Sequence, residues 1–138
     1  MDFSSLVLIE KDKETGFIKE ELGSFEVNEG GLYVKKLYVL DGTVYMYFDT
    51  NKNVEEWEYS AIYDLFNSEA FREKGYEIDE DLDEYNPTYV VTFEYEDDYE
   101  KMKEKIQECI AIIVQEMETV FEAIKNKEDE YKEDESEE

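Results

Sequence analysis

Forty acidic residues against 14 basic ones in a chain of 138 give a formal charge of −26, and there is no histidine. Such a polyanion repels nucleic acid and anionic lipid, needs a cationic or neutral partner, and lacks both the usual neutral-pH proton shuttle and the commonest metal ligand. Hydrophobic residues at 41% and aromatics at 15% are too many for an intrinsically disordered chain, and the length fits one domain with a single core.

The N-terminus, Met1-Asp2-Phe3-Ser4-Ser5, carries no positive charge, and the apolar run Leu6–Ile9 is short. Neither a signal peptide nor a membrane span is expected there. The single cysteine, Cys109, has no partner for an intramolecular disulfide, which fits a reducing cytoplasm. The acidity is not confined to a tail. Residues 126–138 hold eight acids and two lysines, leaving 32 acids and 12 bases on residues 1–125, a body of net −20. The expected organisation is one domain over residues 1–125, followed by an acidic tail of frayed helix or unstructured chain over 126–138.

Ser5–Glu10 reads as a short strand, followed by the polar loop Lys11–Gly16. Phe17–Glu20 and Ser24–Val27 resume extended structure, with Gly23 placed for a bulge or kink. Asn28-Glu29-Gly30-Gly31 makes the next turn. Leu32–Leu40 and Thr43–Asp49 flank Asp41-Gly42, the preferred pair of a two-residue type I′ hairpin. That turn sets a register of Val39 opposite Val44, Leu37 opposite Met46 and Lys35 opposite Phe48 on one side of the sheet. Tyr38/Tyr45 and Lys36/Tyr47 then share the other side. The aliphatic side is the expected core, and the tyrosine side an expected partly wet face.

Asn53-Val54-Glu55-Glu56 has the form of a capping box with Asn53 as N-cap, opening a helix to about Asn67. Val54, Trp57, Ala61 and Leu65 form its core stripe, widened by Tyr59, Ile62, Tyr63 and Phe66. Ser68 can cap a further turn, Glu69–Lys74, stopped by Gly75. Residues 77–86 read as an acidic loop closed by Pro87. Thr88–Tyr95 alternates as a strand, with Tyr89, Val91, Phe93 and Tyr95 on one face. From Asp97 or Asp98 a helix runs to about residue 125. Its stripe is Tyr99, Met102, Ile106, Ile110, Ile113, Met117, Val120 and Ile124, and its length is on the order of 42 Å.

Few constellations carry chemistry. Asp79-x-Asp81-x-Asp83 alternates carboxylates, but a calcium loop begun there would have Glu84 and Val90 where glycine and glutamate belong, so a solvated loop is expected. Asp49, Asn51 and Asn53 fail the same test at Val54 and Ser60. No histidine stands beside a serine or Cys109 for triad catalysis, and no phosphate-binding glycine pattern occurs. Clustered carboxylates could serve a metal-dependent hydrolase, yet with 40 acids some pair always lies near another. Cys109 sits in an apolar helical run, which points to a buried, inert thiol.

That run, Cys109–Val114, covers the whole helical circumference, so one sheet face cannot bury it. Its second cover must be either the Trp57 helix or the same helix of a second subunit. The helix should overhang typical strands, and this favours a homodimer in which Met117, Phe121 and Ile124 meet a partner. Tyr38, Tyr45 and Tyr47 form a second expected interaction patch, against the plainer reading that tyrosine suits a half-exposed strand. A polyanion could also mimic nucleic acid and inhibit a DNA-binding protein. The long helix, with eight acids and four lysines over residues 97–125, is too sparsely charged to do so alone.

The stretch Phe48-Asp49-Thr50-Asn51-Lys52-Asn53-Val54-Glu55-Glu56-Trp57-Glu58-Tyr59-Ser60-Ala61-Ile62, with Ser4-Ser5-Leu6-Val7-Leu8 upstream, resembles an uncharacterised family of small acidic proteins from low-GC Gram-positive bacteria. The resemblance covers almost the whole chain, implies a bacterial cytoplasmic setting, and carries over no catalytic or binding residue. The sequence thus leads to an α+β domain in the order ββββ-α-β-α. Its antiparallel or mixed sheet of about five strands packs on the long C-terminal helix and one shorter helix. The expected function is a non-enzymatic interaction or regulatory module for a basic or neutral protein partner, with no cofactor, no metal, no direct nucleic-acid binding and no membrane association.

Overall fold

A computed structural model describes residues 4–136. Among these residues six strands form one mixed sheet: β1 Ser4–Lys11, β2 Ile18–Val27, β3 Val34–Leu40, β4 Thr43–Asp49, β5 Glu77–Asp81 and β6 Thr88–Glu94. They lie side by side in the order β2-β1-β3-β4-β6-β5. Only β1 and β3 pair in parallel; every other neighbour is antiparallel. Four α-helices complete the α+β architecture of the described residues: α1 Glu56–Leu65, α2 Glu69–Arg72, α3 Tyr99–Ile124 and α4 Glu128–Ser136.

The hairpin turn forms as its sequence demands. Asp41 and Gly42 both take positive φ, 51° and 82°, the requirement of a type I′ turn whose twist matches the strands. Val39 faces Val44, Leu37 faces Met46 and Tyr38 faces Tyr45, as expected, but the register shifts between Val34 and Lys36. Phe48 therefore pairs with Val34, and Lys35 bulges out. Its ammonium is drawn to the Asn51 side-chain oxygen at 2.7 Å and the Leu32 carbonyl at 2.9 Å, contacts that a core-facing lysine could not make.

Three further segments differ from the sequence reading. Residues 77–81 belong to β5, not to a loop, because their backbone pairs with β6 while Ile78 alone enters the core. The capping box lies two residues later than expected. Glu55 is the N-cap, and Glu58 accepts from the Glu55 amide at 2.8 Å, while Asn53 instead accepts from the Asn86 side chain. Ser68 sits in helical conformation and makes no side-chain cap. The tail contains helix α4, which packs on α1 and is tied to it by the Tyr131 hydroxyl donating to Asp64 at 2.9 Å.

One face of the sheet carries the core. Leu8, Phe25, Val27, Leu37, Val39, Val44, Met46, Phe48, Ile78, Tyr89, Val91 and Phe93 are all buried beneath the helices. Asp98 caps α3 by accepting from the Lys101 amide, and the whole stripe from Met102 to Ile124 is buried, Tyr99 alone staying half-exposed. The apolar run at its middle is covered from three sides. Cys109, Ile110 and Ile113 are buried, Ile112 and Val114 are half-buried against the core, and only Ala111 faces out. A 3-10 helix, Glu29–Tyr33, closes one flank. Gly30 stands so close there that a Cβ would come within 2.5 Å of Val114 Cγ2. Helices α1 and α2 also pack on α3.

Candidate functional site

Among the described residues the helices pack on one face of the sheet, and the other face has no second layer. Pairing across the six strands places side chains on it in rows. One row reads Glu21, Ile9, Tyr38, Tyr45, Thr92, Glu77, one residue from each strand. The next contains Lys36, Tyr47, Val90 and Asp79, with the exposed Val7 on the same side of β1. Apolar and aromatic side chains thus hold the centre, and carboxylates hold the ends.

The three tyrosines expected to share a face do so and touch. Tyr38 stacks on Tyr45 at 5.2 Å between ring centroids and on Tyr47 at 6.2 Å. All three are half-buried by their neighbours. Two lysines lie over the rings, Lys11 at 4.1 Å from Tyr38 and Lys36 at 5.1 Å from Tyr47, a cation–π arrangement that keeps each stem on the aromatic surface. Burial among these rings, then hydrogen bonding to Tyr47, pushes the Tyr38 phenol up from its ordinary value. The Tyr38 hydroxyl thus remains a neutral donor and acceptor at physiological pH.

The second expected patch is not a surface. Met117 and Ile124 are buried within the chain, and Phe121 is half-buried with the Lys52 ammonium 4.2 Å over its ring. Sequence reasoning missed Val7, Ile9 and Val90 as parts of the open face, because the parallel β1–β3 pairing that brings the first two beside Tyr38 leaves no local signal. The alternation of Val90 with Tyr89 and Val91 did mark its side.

A cleft of about 850 Å³ opens at the end of β6, lined by Tyr76, Phe93, Glu77, Glu94, Glu104 and Lys105 among others. Two of its groups are tied up in side-chain contacts. The Tyr76 hydroxyl donates to Glu108 at 2.6 Å, and Lys105 reaches Glu96 at 2.7 Å. Cys109 is buried, and its thiol is pushed up to about 12, by burial first and by Glu108 second, so it is not a nucleophile at neutral pH. Among the described residues no group of three or more Cys, Asp or Glu side chains is placed to hold a metal ion, and no helix is long and apolar enough to cross a membrane. Asp79 and Asp81, two of the alternating carboxylates, stand on β5 at the edge of the open face.

Residues 1–132 match the profile of a family of unknown function, DUF6762. The chain belongs to that family. The kinship expected from residues 48–62 and 4–8 is thereby shown, at the level of a family with no assigned activity. No curated protein and no solved structure matches the chain.

Proposed function

We propose that this protein is a non-enzymatic interaction module that takes a protein partner on the open face of its sheet. The observation that supports this reading is the stacked Tyr38–Tyr45–Tyr47 cluster, joined by Ile9, Val7 and Val90, on a face that no helix of the described residues covers. Tyrosine offers large contact area at low entropic cost, and an apolar centre with a charged rim is the anatomy of a protein interface. A nucleic-acid mimic would instead need carboxylates spaced along an elongated face; here they stand at the edges of an apolar centre. The face replaces the long helix as the expected contact, since Met117 and Ile124 serve the chain's own core.

The test is site-specific photocrosslinking in the cells that make the protein, with the crosslinker at position 45 or 90 and a control at Ala111 on the outer side of α3. A discrete protein adduct from positions 45 and 90, absent from 111, is the expected result. Equal labelling from all three positions, or none from the sheet, would refute the reading.

A further inference from the structure

We infer that the occupant of this face is a basic amphipathic helix of a partner protein, laid across the strands with an apolar middle on the tyrosines and cationic residues at both ends. The inference rests on the open face being a docking surface and specifies what docks there.

The dimensions select a helix. Six strands at about 4.8 Å spacing make a row roughly 24 Å long, the length of about 16 helical residues. The two rows stand about 7 Å apart along the strands, so with their side chains they match one helix of roughly 10–12 Å diameter. The neighbouring rows are mixed or polar: Ile18, Lys11, Leu40, Thr43 and Glu94 on one side, Asp49, Thr88 and Asp81 on the other. A second sheet packed face to face would need the whole face to be apolar. Here Lys11, Thr43 and Glu94 in one flanking row and Asp49, Thr88 and Asp81 in the other interrupt it, and the aromatic cluster is confined to the two central rows.

The charges select the ends. Glu21 closes the first row at the β2 edge, and Glu77 and Asp79 close the two rows at the β5 edge; all three are exposed. Lys36 within the strip and Lys11 from the neighbouring row both set their ammonium groups over the central tyrosines. The strip is therefore negative at its ends and positive in its middle. A ligand with cations at both ends and an apolar centre complements it, whereas one with cations in the centre meets like charge. A second copy is a poor fit on the same ground, because each brings a formal charge of −26 and its own acidic edges.

Three synthetic peptides of about 16 residues test this by calorimetry and by mapping of backbone amide shifts. The first has lysines at both ends of an apolar helical stripe, the second has the same composition with the lysines moved to the middle, and the third has glutamate at the ends. The first should bind about tenfold tighter than either other at equal ionic strength, with shifts centred on Ile9, Tyr38, Tyr45, Tyr47 and Val90. In the doubly substituted Glu21→Lys, Glu77→Lys protein the preference should pass to the glutamate-ended peptide. Equal affinity for the two lysine peptides, shifts centred on α4, a doubled mass in solution, or no binding would each overturn the inference. Should these fail while crosslinks from positions 45 and 90 still capture a discrete protein, the interaction reading stands and only the helix is wrong. Loss of both removes both.

Discussion

The sharpest consequence of the fold concerns Gly30. An alanine there would place its Cβ 2.5 Å from Val114 Cγ2, 2.8 Å from Ile110 Cγ2 and 2.9 Å from the Asn28 side-chain oxygen. Comfortable carbon–carbon contact is about 3.5–4.0 Å, so roughly 1 Å of movement is needed against each methyl. Ile110 is buried and cannot yield. Val114 is half-buried and can. The Asn28 oxygen accepts from the Gly30 amide at 2.8 Å, capping the 3-10 helix, and pushing it away forfeits that bond as well. Overpacking of this kind costs about 1–3 kcal/mol, the lost bond about 0.5–1.5 kcal/mol, and the stiffer unfolded chain returns about 0.4–1 kcal/mol. Gly30→Ala should therefore destabilise by about 0.5–4 kcal/mol, read as a lower midpoint in urea with an unchanged slope. Val114→Ala removes the main clash, so the double variant should be more stable than the sum of the singles by about 0.5 kcal/mol or more. A Gly30→Ala protein within about 0.5 kcal/mol of the parent, or strict additivity with Val114→Ala, would mean that the 3-10 helix does not close this flank of α3. The cover of the apolar run would then have to be sought outside the chain.

Two more outcomes follow from burial. The Cys109 thiol, buried and pushed up to about 12, should resist a disulfide exchange reagent in the native protein at mildly alkaline pH and react at once in denaturant; rapid labelling of the native form would contradict its placement. Burial is the first cause raising the phenols of Tyr33, Tyr38, Tyr63, Tyr76, Tyr89 and Tyr95 above their ordinary value of 10.0. The unfolded chain thus releases protons from about pH 10 while the folded one still holds them, so stability is intact below that pH and falls as pH rises through the folded values. Tyrosinate absorbance should accordingly rise in two phases, the second coinciding with loss of far-UV structure. A single phase complete before unfolding would count against the packing of these rings.

What the sequence made legible was local and periodic. Asp41-Gly42 announced its hairpin because only a two-positive-φ turn suits that pair, and the spacing of Met102 through Ile124 announced both a helix and its buried side. The acidic strand β5 left no such mark: of Glu77–Asp81 only Ile78 is buried, and backbone pairing with β6, which periodicity does not register, makes it a strand. The candidate site divides the same way. Tyr38, Tyr45 and Tyr47 could be placed on one face from a single turn, whereas Ile9 joins them through a parallel pairing across an intervening hairpin. A stripe such as Met117, Val120 and Ile124 declares that it is buried without declaring by what. Helix length argued for a second subunit there, but α1 packs on α3 and α4 packs on α1, elements whose position depends on the whole chain's path. The tyrosine cluster that no helix of the described residues covers lies on the opposite side of the molecule, on the sheet, and on the proposed reading its acid-tipped rows are what a partner would meet.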